Sequence, residues 1–144
     1  MKVLFKKLNE AAKTPTYGSP YSAGADLYSV DEAVTLAPGE SRLFHTGIAV
    51  EIPVGYVGLV YARSGLATKK GLAPANKVGV IDADYRGEVM VCLFNHSSKE
   101  QTVDAGERIA QMVVAPFLTC EYEETDELSE TVRGEGGFGS TGSK

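Results

Sequence analysis

The pattern that most constrains this chain is alternation at period two, cut by turn signals at short intervals. Ile48, Val50 and Ile52 alternate with Ala49 and Glu51, and Val57, Leu59 and Tyr61 alternate with Gly58 and Val60. Successive side chains of a strand point to opposite faces, so such runs read as strands. Glu88 to Phe94 (EVMVCLF) is apolar at almost every position, the pattern of a strand covered on both faces. Arg108 to Leu118 reads as another strand that ends near Pro116, since proline has no N–H to give to a ladder. Pro38-Gly39, Pro53-Val54-Gly55, Asn95-His96-Ser97-Ser98 and Asp104-Ala105-Gly106 supply the turns. Only Ser64 to Lys70 reads as a helix, with Ser64 as its N-cap, Gly71 just past its end and Leu66 as its anchor. Many short strands at close spacing predict an all-β sandwich or barrel.

Size and composition narrow the function classes. A chain of 144 residues fits one domain and buries enough surface for a core without staples. No stretch approaches the ~18 apolar residues of a membrane helix. The apolar run in Met1 to Lys7 is too short for a signal peptide. Cys92 and Cys120 make neither a disulfide framework nor a zinc site, so a reducing, cytoplasmic setting is expected. A net charge of −5 disfavours nucleic acid and acidic membranes as partners. His45 and His96 are the only histidines, and neither neighbours a plausible nucleophile, which argues against a Ser/Cys–His hydrolase.

Several segments carry chemistry. In Tyr61-Ala62-Arg63-Ser64-Gly65-Leu66-Ala67 a strand runs into a helix start, where free N–H groups, a hydroxyl and a guanidinium suit an anion. An ordinary capped helix with a surface arginine is the plainer reading. In Gly79 to Glu88 (GVIDADYRGE), turn chemistry accounts for Asp84 and Gly87. It accounts less well for Asp82, which follows Val80-Ile81 inside an apolar run and is poised to orient or deprotonate water. Asn76 offers an amide to the edge of a base, or is simply a loop residue. Gln111 shares the strand face of Ile109 and Val113, so it either satisfies a buried backbone group or faces a ligand. Asp26, after small residues, reads as a turn aspartate. Gly134, Gly136, Gly137, Gly139 and Gly142 crowd the end of the sequence, normally a sign of disorder. Arg133, Ser140 and Thr141 among them suit phosphate oxygens, and Phe138 suits a base, so this stretch also reads as a lid.

Taken together, AGADLYS (23–29), ARSGLA (62–67), GVIDADYRGEV (79–89), GERIAQMVV (106–114) and RGEGGFGSTG (133–142) resemble the motifs of trimeric dUTP pyrophosphatases (dUTPases), in their order. The resemblance implies an all-β jelly roll with one short helix, assembled as a homotrimer with shared sites. Residues 1–132 would form the catalytic domain and 133–144 a flexible Gly-rich arm. The reaction implied is water attack on the α-phosphate of dUTP, giving dUMP and pyrophosphate. That limits uracil incorporation into DNA and supplies dUMP for thymidylate synthesis. By resemblance Asp82 activates the water and Gln111 lies near it and the phosphates. Tyr85 packs on the deoxyribose and excludes a 2′-hydroxyl, while Asn76, Gly79 and Met90 join it around base and sugar and Phe138 covers the uracil. Arg63, Ser64 and Gly65 bind phosphate, as do Arg133, Gly139, Ser140 and Thr141 from a neighbour's arm. Asp26 meets Mg²⁺ through water. The alternatives are a dCTP deaminase-like enzyme and a non-catalytic nucleotide-binding trimer; fold alone separates neither.

Overall fold

The computed structural model describes residues 1–137. One sheet has four strands, β1 (Leu4–Lys7), β5 (Ser41–Glu51), β9 (Glu88–Asn95) and β7 (Leu72–Pro74), in the order β1-β5-β9-β7. A second has five, β2 (Thr16–Tyr17), β3 (Ala25–Tyr28), β11 (Arg108–Pro116), β6 (Tyr56–Tyr61) and β8 (Val78–Ile81), in the order β2-β3-β11-β6-β8. A ribbon of β4 (Val34–Leu36) and β10 (Gln101–Val103) completes the β structure among the described residues. Every pairing is antiparallel. The strand order is full of crossovers, as in jelly rolls.

Both large sheets and the ribbon contribute to one core. Leu27, Leu36, Phe44, Val89, Val91, Leu93, Val103 and Ile109 are buried together. Each fully buried Leu or Phe contributes roughly 1.5–3 kcal/mol, so this cluster dominates the stability. Asn95 is buried but satisfied: its amide donates to the Leu36 and Lys99 carbonyls at 3.0 and 2.8 Å. Its Oδ1 accepts from the Ser97 N–H at 2.9 Å, closing the predicted turn after β9.

Three elements depart from the sequence expectation. β9 is not covered on both faces. Val89, Val91, Leu93 and Asn95 are buried, whereas Met90 is exposed and Cys92 and Phe94 are half-buried. The second apolar face borders a cavity instead of a second layer. In β11 the register against β3 slips between Arg108 and Ala110, so Ile109 and Ala110 are both buried. A bulge of this kind breaks the alternation. Gln111 therefore does not share the face of Ile109. The helix, α1 (Ser64–Lys70), has the predicted span, but its N-cap is Arg63, in extended backbone and without a side-chain cap bond. Ser64 is the first helical residue. Gly71 ends the helix as expected, its N–H bonded to the Ala67 carbonyl at 3.0 Å. Leu66 is the buried anchor, and Lys70 ties the last turn to the Thr102 carbonyl and Glu107 at 2.7 and 2.8 Å.

Candidate functional site

A cavity of about 290 Å³ opens between β8 and β9, with Asn76, Gly79, Asp82, Tyr85, Glu88 and Met90 in its lining. β8 ends at Ile81, and Asp82 begins a turn whose first bond runs from the Tyr85 N–H to the Asp82 carbonyl at 3.2 Å. The Arg86 guanidinium holds that turn by donating to the Ala83 and Tyr85 carbonyls at 2.6 and 3.1 Å. Asp82 is thus exposed at the cavity and does not sit inside an apolar run. The strand stops one residue before it, which no local signal shows. Asn76 sits in a tight turn: its carbonyl accepts from the Val78 N–H at 2.7 Å across Lys77, which has a φ of 66°. A non-glycine residue in that region is uncommon and marks a backbone held by its surroundings. Lys77 carried no signal in the sequence.

Tyr85 is fixed from two sides. Its hydroxyl donates to the Glu88 carbonyl at 2.9 Å. Its phenol lies so close to Gly87 that any Cβ there would collide with it. Glycine at 87 leaves the phenol room to lie in this position.

A second cavity of about 480 Å³ is lined by Asp26, Arg63, Ser64, Gly65, Arg108 and Gln111. Sheet register assembles it. Gln111 of β11 stands opposite Asp26 of β3 on one side and Tyr61 of β6 on the other. α1 follows β6 directly, which brings Arg63 to Gly65 alongside. Asp26 lies within a strand and not in a turn, and it is buried. A buried carboxylate needs partners, and it has two: Arg63 Nε at 2.7 Å and an Arg108 guanidinium nitrogen at 3.1 Å. These bonds orient Arg63 while the cavity still reaches it. Arg108 was missed in the sequence, where it reads only as a strand residue. Gln111 donates from Nε2 to the Ala62 carbonyl at 2.9 Å, the backbone-satisfying reading, and it also lines the cavity.

The remaining expected residues lie elsewhere. Asp82 and Gln111 line different cavities of the single chain. Arg133 is exposed, lines neither, and donates from Nε to the Gly136 carbonyl at 2.7 Å. Phe138, Gly139, Ser140 and Thr141 lie outside the described residues. Among the described residues no group of three or more His, Cys, Asp and Glu side chains could hold a metal ion. No helix there is long and apolar enough to cross a membrane.

An all-β jelly roll carrying one short helix, with polar residues lining two separate cavities, is the class these observations define. The dUTPase family model matches residues 10–142, and the chain belongs to that family. It is 52% identical to the deoxyuridine 5′-triphosphate nucleotidohydrolase of Hydrogenobaculum sp. over 100% of both chains. It is 49% identical to that of Nautilia profundicola over 99% of both. Among solved structures, the Staphylococcus bacteriophage 80alpha dUTPase with dUpNHpp superposes with a TM-score of 0.90 at 32% identity, covering 98% of each chain. A mutant dUTPase from phage phi11 of S. aureus, solved with a coordinated structural Mg(II) ion, has a TM-score of 0.81 at 28% identity, covering 90% of this chain and 100% of that one.

Proposed function

We propose that this protein hydrolyses dUTP to dUMP and pyrophosphate, with Asp82 as the base that activates the attacking water. Family membership over residues 10–142 carries the reaction. The placement of Asp82 at the mouth of a cavity sized for a base and sugar supports its role. Asn76 and the backbone around Gly79 would read the uracil edge. Met90 would pack beneath the base and Tyr85 against the deoxyribose. Buried donors and acceptors matched to uracil reject cytosine, because each mismatch leaves a polar group unpaired. A deaminase or a non-catalytic trimer is not favoured by relatives named as dUTP hydrolases.

The second cavity suits the triphosphate. Arg63, oriented by Asp26, offers a charged fork beside Ser64, Gly65 and Gln111. Mg²⁺ takes oxygen ligands, keeps several waters and is held by one or two carboxylates plus substrate phosphates. Asp26 is the one carboxylate of this cavity, and both its oxygens already accept from arginines. That fits contact through water better than direct ligation. When bound, the ion supplies charge neutralisation on the phosphates.

A homotrimer would unite the two half-sites across subunit boundaries. The outer face of β6, β8 and β11 supports association. Leu59 stands opposite Val80 and Val113 there, and Val80 is 64% exposed. Contiguous apolar surface of this kind marks interaction sites. Residues 133–144 would act as an arm that brings Arg133, Phe138, Gly139, Ser140 and Thr141 to a neighbour's site.

A pyrophosphate-release assay across dUTP, dTTP, dCTP and UTP, with and without Mg²⁺, tests this reading. Release from dUTP alone, dependent on Mg²⁺, is the expected result. Ammonia release from dCTP would overturn it.

A further inference from the structure

The β5–β9 ladder is irregular between His45 and Ala49. His45 pairs with Met90 and Ala49 with Glu88, so three residues of β5 face the single Val89 between them. Gly47 lies in this bulge at a φ of 67°, where a Cβ would clash with Ala12 and press tightly on Asn9 and Val30. Such a bulge strips ladder partners from the backbone. The Glu88 side chain replaces one of them. Its Oε1 accepts from the Gly47 N–H at 2.7 Å, and its Oε2 pairs with His45 Nδ1 at 2.9 Å. The backbone carbonyl of the same residue accepts the Tyr85 hydroxyl. Glu88 therefore joins the bulge of one strand to the aromatic wall of the first cavity.

We propose that the Glu88 carboxylate, clamped by His45 and Gly47, positions Tyr85 and thereby sets the preference for deoxyribose over ribose. This rests on the dUTP-hydrolase reading above and on Tyr85 facing the sugar. Displacing the carboxylate frees residue 88 to shift, and the phenol bonded to its carbonyl shifts with it. Misplacement on the 1 Å scale can cost on the order of 10²-fold in rate, so a shifted phenol would change how the wall discriminates the sugar.

The charge state of His45 adjusts the clamp. Its hydrogen bond to Glu88 is the largest influence and raises its pKa; burial opposes this, and the charges of Glu88 and Asp31 add to it. The charged groups facing it are Glu88 on β9 and Asp31, whose carboxylate accepts from the His45 N–H at 3.0 Å; the cross-strand neighbour Met90 is neutral. Below the raised pKa the clamp is an ion pair. Above it a neutral imidazole remains, with a weaker hold.

The test compares kcat/KM for dUTP and UTP across pH in the wild type, Tyr85→Ala, Glu88→Gln, His45→Ala and His45→Asn, with melting temperatures alongside. Glu88→Gln is expected to lower the dUTP/UTP ratio about 10-fold, and His45→Ala roughly 3-fold. Asn at 45 keeps a donor near the Nδ1 position, so it should restore the ratio but abolish its decline as pH rises past 6.5. Ratios near wild type in Glu88→Gln and His45→Ala, while Tyr85→Ala lowers it, would overturn the clamp and leave the functional reading standing. An unchanged ratio in Tyr85→Ala, with dUTP still hydrolysed, would remove the sugar contact and the clamp together. A wild type inactive on dUTP would overturn the reading itself.

Discussion

Asp82 shows how one side chain depends on where a strand stops. Read along the sequence, it follows Val80-Ile81 and looks like a carboxylate forced into an apolar run. In the fold β8 ends at Ile81 and Asp82 faces the cavity, exposed. A solvated carboxylate needs no compensating charge and is free to hold a water. Replacing it by asparagine keeps the shape and removes the base. Asp82→Asn is expected to cut pyrophosphate release from dUTP by at least ~10²-fold, with dUTP binding retained in calorimetry. Undiminished turnover would exclude it as the base. The type of this residue was legible because carboxylates before a turn are unusual in apolar runs. Its setting was not, because a strand end is fixed by partners across the sheet. Arg108 makes the same point. It gave no sign in the sequence, yet it holds one oxygen of Asp26.

At the level of elements, α1 and the strands were legible from periodicity, while bulges were not. The slip between Arg108 and Ala110 turns Gln111 toward the face that borders Arg63. The bulge in β5 creates the His45–Glu88 pair from residues far apart in sequence. That pair gives the ladder a pH signature. Burial would raise the Glu88 carboxyl, but bonds from His45 and from the Gly47 and Thr46 N–H groups outweigh it and lower it below its usual 4.5. Its stabilisation is present above that value and fades as pH falls through the folded pKa. His45 is raised above its usual 6.5, so its share is present below 6.5 and fades as pH rises through the folded pKa. The stability gap between wild type and His45→Ala should therefore be widest between about pH 4.5 and 6.5 and narrow on both sides. The His45 side chain is 49% exposed, so solvent screening keeps the gap under about 1 kcal/mol. Urea unfolding across pH measures it, and a gap that stays flat or widens above pH 7 would contradict the pairing.

In the whole molecule, the first and second cavities gather the expected base-side and phosphate-side residues separately, and a trimer is the arrangement proposed to join them. The apolar outer face of β6, β8 and β11 lies next to Gln111, so association there would close the second cavity. Deleting residues 133–144 tests the arm, and none of the described residues of this stretch, 133–137, belongs to the buried core. The truncated chain is expected to form a trimer by light scattering, with a melting temperature within a few degrees of the full chain. Its dUTP hydrolysis should fall by about 10²-fold, on the scale of losing one positioned group. Full activity after truncation would show that the arm is not part of the site.

The sequence by itself determined the class of fold, the helix and the chemical types that line the two cavities. Those follow from local periodicity, turn residues and motif order, which act over a few residues at a time. Only the tertiary structure decided which face Gln111 presents, that Asp26 is an arginine-held strand residue, and that Glu88 reaches back to His45. Each of these depends on register and bulges between strands distant in sequence. Antiparallel pairing sets side-chain facing by a one-residue choice that no single strand encodes.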